Sequence, residues 1–218
     1  MQIGGFLKQS FIDFPKVYSA VIFTNGCNLN CWYCHNKQLI NNKQKCETSL
    51  DEIYKFLESR KGFIEGVVIS GGEPTLQPDL ETVIDKIKSI GYKVKLDTNG
   101  TNPLILEKLL PKLDYVAMDI KNSFANYEKI AGKINIENIK KSVEILKNCN
   151  VDYEFRTTFP TGITLQDIDD IGKAIKGAKC FYLQNYVPQD NILEQNSQEI
   201  FNKALKIIKE YVPNSYIR

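Results

Sequence analysis

Residues 27–36 read CNLNCWYCHN: Cys27, Cys31 and Cys34 stand in the spacing C-x3-C-x2-C, and His35, the one histidine of the chain, follows at once. Thiolates bind soft metals and iron–sulfur clusters. A structural zinc site is normally closed by four protein ligands. Three cysteines on a cubane of four irons leave one iron open to an exogenous ligand, and the short spacers let one loop wrap one cluster. Two other readings stay open. One is a zinc knuckle or a set of free thiols. The other takes Cys46 as a fourth ligand, across KQLINNKQK (37–45), which has no ligand-site character. Cys149 ends an amphipathic helical pattern and Cys180 opens an apolar run, so both suit packing better than ligation.

Further polar groups gather where apolar runs end. GVVIS (66–70) leads into GGEP (71–74), where Gly71 and Gly72 permit a turn with close backbone approach to a ligand and Glu73 offers an acceptor for an ammonium group. LDTNG (96–100) places Asp97 and Thr98, DYVAMDIK (114–121) places Asp119 and Lys121, and EFRTT (154–158) places Arg156. A buried carboxylate needs a partner, which for Asp119 is Lys121 or Arg156 in an ion pair, or a bound ion. The fork of Arg156 suits a carboxylate.

These groups need elements to hold them. Apolar, β-rich runs at 18–24, 66–70, 93–98, 114–120, 152–158 and 180–186 alternate with helical stretches near 49–60, 78–90, 103–110, 136–148, 166–176 and 196–211. Asp79, Thr164 or Gln166, and Ser197 stand near helix starts. The alternation predicts a parallel sheet with helices outside, which both a doubly wound sheet and a barrel satisfy. In such folds the C-terminal strand ends carry active sites. Residues 1–17 read as an N-terminal extension, in the form of a short hairpin over one end of the sheet.

With 218 residues, 43% of them hydrophobic, one domain is expected. The 28 basic and 26 acidic residues nearly cancel, which gives no global case for nucleic-acid binding. No apolar run is long enough to span a membrane, and MQIGGFLKQS lacks a signal-peptide pattern. The expectation is a soluble, cytoplasmic protein.

The loop C-x3-C-x-Φ-C with Tyr33 as its aromatic, followed by GGEP after an apolar strand, resembles the paired signatures of the radical S-adenosylmethionine enzymes. The resemblance covers almost the whole chain. It implies an α/β fold, a partial (β/α)6 barrel of parallel strands, with a single radical S-adenosylmethionine domain over 18–218. It implies that Cys27, Cys31 and Cys34 hold one [4Fe–4S] cluster whose unique iron is chelated by S-adenosylmethionine. Reductive cleavage then gives methionine and a 5′-deoxyadenosyl radical that abstracts hydrogen. The same resemblance assigns cofactor contacts to Tyr33 (on adenine), Gly71, Gly72, Glu73, Asp97, Thr98, Asp119, Lys121 and Arg156, with a monovalent cation near the aspartates. His35 is left a supporting role in the loop, because hydrogen-atom abstraction needs no base.

LDTNG, MDIK and FRTT resemble the activases of glycyl-radical enzymes. DYVAMDIK, EFRTT and YLQNYVP are similar to the activating protein of anaerobic ribonucleoside-triphosphate reductase, whereas FPTGIT (159–164) departs from that pattern. Residues 35–65 contain only Cys46, so no accessory ferredoxin-like insert is expected. The implied partners are a glycyl-radical enzyme, the anaerobic ribonucleotide reductase first, and an electron donor such as flavodoxin or ferredoxin. Three alternatives stand beside this: an activase of another glycyl-radical enzyme such as pyruvate formate-lyase, a radical enzyme acting on a small molecule such as a modified-base precursor, and a non-catalytic module with a four-ligand structural metal.

Overall fold

The computed structural model describes residues 1–41, 46–187 and 196–218; residues 42–45, before Cys46, and Pro188 of the YLQNYVP motif lie outside them. The chain divides into two compact units.

The first unit comprises Met1–Asn28, Asn36–Thr98 and Leu104–Val116. Its strands β1 (Ile3–Ser10), β2 (Ser19–Thr24), β3 (Gly66–Gly71) and β4 (Lys93–Thr98) lie side by side in chain order. The β1–β2 pair is antiparallel and the other pairs are parallel. Within the 1–17 segment, Ile3–Ser10 thus forms a hairpin with β2. SAVIFT and GVVISG are near-continuous apolar runs because both faces of a parallel strand are covered. Register places Val68 opposite Val21 and Lys95. Phe14, Val17, Val21 and Val68 form a cluster that Phe23 and Tyr115 extend.

Helix α1 (Lys37–Ile40) is a single turn, followed by α2 (Leu50–Ser59) and α3 (Leu80–Ile90). Ser49 and Glu52 close a capping box at the start of α2. In α3, Leu80, Val83, Ile84 and Ile87 make the i, i+3, i+4, i+7 stripe of a one-sided helix. Asp79 holds the N-cap position of α3 without a side-chain capping bond. The helix ends at Gly91 with φ 111°, a left-handed conformation that glycine adopts without a Cβ penalty.

Helix α4 (Pro103–Leu109) and strand β5 (Tyr115–Asp119) follow, and Ala117 begins the last part of the second unit. That unit comprises Leu29–His35, Asn99–Pro103 and Ala117–Arg218. It contains α5 (Tyr127–Ala131), α6 (Ile136–Lys147), β6 (Asp152–Phe159), α7 (Leu165–Ala174), β7 (Phe181–Asn185), α8 (Gln198–Lys209) and β8 (Ser215–Ile217). β6, β7 and β8 are parallel and again follow chain order. Thr164 and Asp167 form the capping box of α7, and Ser197 caps α8 by accepting from the Ile200 amide. Among the described residues no helix is long and apolar enough to cross a membrane.

Candidate functional site

In the first unit the GGEP turn is built against the strand next to it. Gly71 sits at φ +109°, and a Cβ there would lie 2.4 Å from the Thr24 amide nitrogen. A Cβ on Gly72 would lie 2.1 Å from the Gly26 carbonyl oxygen. Both glycines are therefore required by the chain's own backbone, before any ligand is considered. The Gly72 amide donates to the Thr24 carbonyl (2.8 Å) and the Glu73 amide to the Gly26 carbonyl (2.7 Å). The turn is thus stitched to residues 24–26, which lead directly into Cys27. From the other side the Gly26 amide donates to Leu39 O (2.7 Å) and the Cys27 amide to Ile40 O (3.3 Å).

Glu73 is fully buried. Its Oε1 accepts from the Thr75 amide (3.1 Å), Thr75 Oγ1 (2.6 Å) and Thr98 Oγ1 (2.7 Å). The carboxylate joins the GGEP turn to the end of β4. One residue earlier, Asp97 accepts from Ser70 Oγ (3.0 Å) and pairs with Lys95 Nζ (2.5 Å). The Lys95 side chain is 1% exposed. Sequence reasoning missed it; the signal was its i−2 position from Asp97, which puts both on one face of the strand.

In the second unit Cys31 and Tyr33 are buried, and Cys34 is partly so. The Cys34 amide donates to Cys31 O (3.0 Å), which makes a turn of the two thiol carriers, and the Asn30 amide donates to Ala131 O at the end of α5 (3.1 Å). Asp119 is clamped from two sides, by Arg156 Nε on Oδ1 (2.8 Å) and by Lys121 Nζ on Oδ2 (3.0 Å). Burial alone would push the Asp119 carboxyl up, but Arg156 and Lys121 outweigh it and hold it well below the usual carboxylate range. The Asp119 carboxylate in turn overcomes the effect of burial on Lys121 and keeps its ammonium protonated. One carboxylate with two cations leaves a local charge of +1, a setting for an anion. Burial pushes the Cys31 thiol above its ordinary value, and the Lys121 ammonium opposes that rise without cancelling it. Burial raises the Tyr33 phenol strongly, and among the described residues no hydrogen-bond partner reaches its hydroxyl.

None of the six cysteines forms a disulfide. Among the described residues no three His, Cys, Asp or Glu side chains converge as ligands for a single metal ion. By residue type, number and spacing along the chain, Cys27, Cys31 and Cys34 fit the donor set of an iron–sulfur cluster, and the buried Tyr33 hydroxyl beside them has no hydrogen-bond partner among the described residues.

Residues 21–176 match the family model described as the radical SAM superfamily. A candidate glycyl-radical enzyme activating enzyme of Methanocaldococcus jannaschii is 36% identical, with 99% of this chain and 95% of that one covered. A candidate GTP 3′,8-cyclase of Methanococcus maripaludis is 39% identical, but over 56% of this chain and 42% of its own length. Among solved structures, Streptococcus suis SuiB bound to S-adenosylmethionine shares the fold, with a TM-score of 0.69 at 13% identity over 88% of this chain and 48% of that one.

Proposed function

From the premise that this chain belongs to the radical SAM superfamily, and is therefore an oxidoreductase that uses a [4Fe–4S] cluster and S-adenosylmethionine, we propose that it activates a glycyl-radical enzyme. The observation that carries the reading is the end-to-end similarity to the M. jannaschii candidate activase, against a match to the cyclase that stops near half of either chain. The motifs DYVAMDIK, EFRTT and YLQNY point to the anaerobic ribonucleotide reductase as the partner. A low-potential donor such as flavodoxin or ferredoxin would supply the electron, in the cytoplasm.

When bound, the two cofactors supply reductive cleavage of the sulfonium and the radical that takes a hydrogen atom; the protein binds, orients and excludes competing reactions. Cys27, Cys31 and Cys34 hold the cluster in this reading, and Tyr33 lies beside the adenine. Gly71, Gly72 and Glu73 act through the turn they shape, since the Glu73 carboxylate already accepts from Thr75 and Thr98. Lys121 and Arg156, with Asp119 holding both, receive the cofactor's carboxylate by charge. A monovalent cation near the aspartates would compete with Lys95 at Asp97, and with Lys121 and Arg156 at Asp119.

Anaerobic reconstitution with iron and sulfide, then reduction with S-adenosylmethionine, tests the chemistry: 5′-deoxyadenosine should form, and an absence of product from a fully loaded protein would refute it. The cyclase similarity supports a second reading, turnover of a free nucleotide. Consumption of GTP with no need for a partner protein would favour it.

A further inference from the structure

We infer that Tyr186 is a positioning residue that seats the Leu29–His35 cysteine segment, so that Cys31 and Cys34 are in place before iron arrives. The inference deepens the cluster assignment above and rests on it. Tyr186 is the residue directly after β7, and it is 5% exposed. Its ring meets three rings of the cysteine segment. Trp32 lies at 6.0 Å and 71°, Tyr33 at 6.1 Å and 58°, and His35 at 5.6 Å and 55°. Trp32 and Tyr33 meet each other edge-on at 5.5 Å and 85°. Such tilted and edge-to-face contacts are the favoured arrangements of aromatic pairs.

These contacts solve a local problem. The cysteine segment belongs to no helix or strand; within it the Cys34 amide turns back onto Cys31, and the Asn30 amide reaches Ala131. Tyr186 adds three ring contacts to the Trp32–His35 stretch from the end of a strand paired in parallel on both sides, to β6 and β8. Three positions flanking Cys34, namely 32, 33 and 35, are thereby referred to one strand end. A ring, not a hydroxyl, is what the geometry asks for.

The chain's one tryptophan is Trp32, which makes the segment directly observable. Three full-length variants decide the matter: Tyr186→Ala, Tyr186→Leu, which keeps apolar volume without a ring, and Tyr186→Phe. In the apo proteins the Ala and Leu variants should shift Trp32 emission to the red and raise its quenching by acrylamide, while circular dichroism stays that of the wild type. After anaerobic reconstitution both should lose iron to a chelator several-fold faster than wild type. Tyr186→Phe should restore both properties. Ala and Leu variants that hold iron as long as wild type would overturn the inference. A wild type that takes up no iron–sulfur cluster would sink the radical SAM chemistry instead, and the emission comparison would then decide alone whether Tyr186 seats the segment.

Discussion

Asp119 shows how single residues divide the work. Its two oxygens are each taken by a cation, and removal of one member of a buried ion pair costs about 3–5 kcal/mol because the other charge is left uncompensated. Part of this triad remains solvent-accessible, so the lower end applies. Asp119→Asn should lower the melting temperature more than Arg156→Lys does, and calorimetry on the loaded protein should show weaker S-adenosylmethionine binding in both. Wild-type affinity in both would leave the triad a fold-supporting role only. For the thiols, Cys27→Ala, Cys31→Ala or Cys34→Ala should abolish the cluster absorbance, while Cys46→Ala, Cys149→Ala and Cys180→Ala should leave it. Loss in the Cys46 variant alone would show a fourth protein ligand. Gly72→Ala should lower the stability of the apo protein, since its Cβ would press on the Gly26 carbonyl; an unchanged apo melting curve with lost cofactor binding would return that glycine to the ligand. The cysteines and GGEP were legible because their information is local spacing. The reason for the glycines was not, because it lies in a neighbouring strand.

At the level of elements, α7 carries a test of its own. Asp167 is 3% exposed and accepts from Ser123 Oγ (2.5 Å), Asn126 Nδ2 (2.7 Å) and the Thr164 hydroxyl (2.7 Å) and amide (2.9 Å). Burial raises its pKa, but these bonds from Asn126, Ser123 and Thr164 prevail and bring it down to about 2. An unfolded aspartate titrates near 3.9, so the carboxylate contributes on the order of 2 kcal/mol at neutral pH. That contribution is present above the unfolded pKa, about 4, and is lost as pH falls toward 2. Asp167→Asn should flatten the fall in stability between about pH 4 and 2, read by urea melts at each pH; an unaltered acid limb would contradict the assignment. The sequence placed a helix start at Thr164 or Gln166, and the structure caps it with Thr164; the reach of Asp167 to Ser123 and Asn126, some forty residues back in the chain, left no such signal. The six expected strands all appear, because long apolar runs and caps are strong local signals. The short strand β8, SYI, and the five-residue helix α5 have too few residues to show a period. β1 was expected only as part of a short hairpin, without bounds, because its burial does not alternate and Leu7–Gln9 are exposed.

For the whole molecule, the family and its chemistry follow from the sequence and are shown by similarity that runs from residue 21 to 176. Partner choice was less legible, since a docking surface has no fixed spacing and FPTGIT departs from the expected loop. The claim that most needs a direct measurement is that the hydrogen donor is a glycine of a partner protein. A peptide α-carbon radical is stabilised by its flanking amide groups, so its formation requires no acid–base residue in this chain. The reconstituted protein, reductant and S-adenosylmethionine are mixed anaerobically with the ribonucleotide reductase carrying α-deuterated glycine. The electron paramagnetic resonance spectrum is then recorded against an undeuterated control. A glycyl-radical doublet in the control, collapsing on deuteration as the label enters 5′-deoxyadenosine, is the expected result. Cofactor cleavage with no radical on the reductase or on any other glycyl-radical enzyme would contradict the activase account.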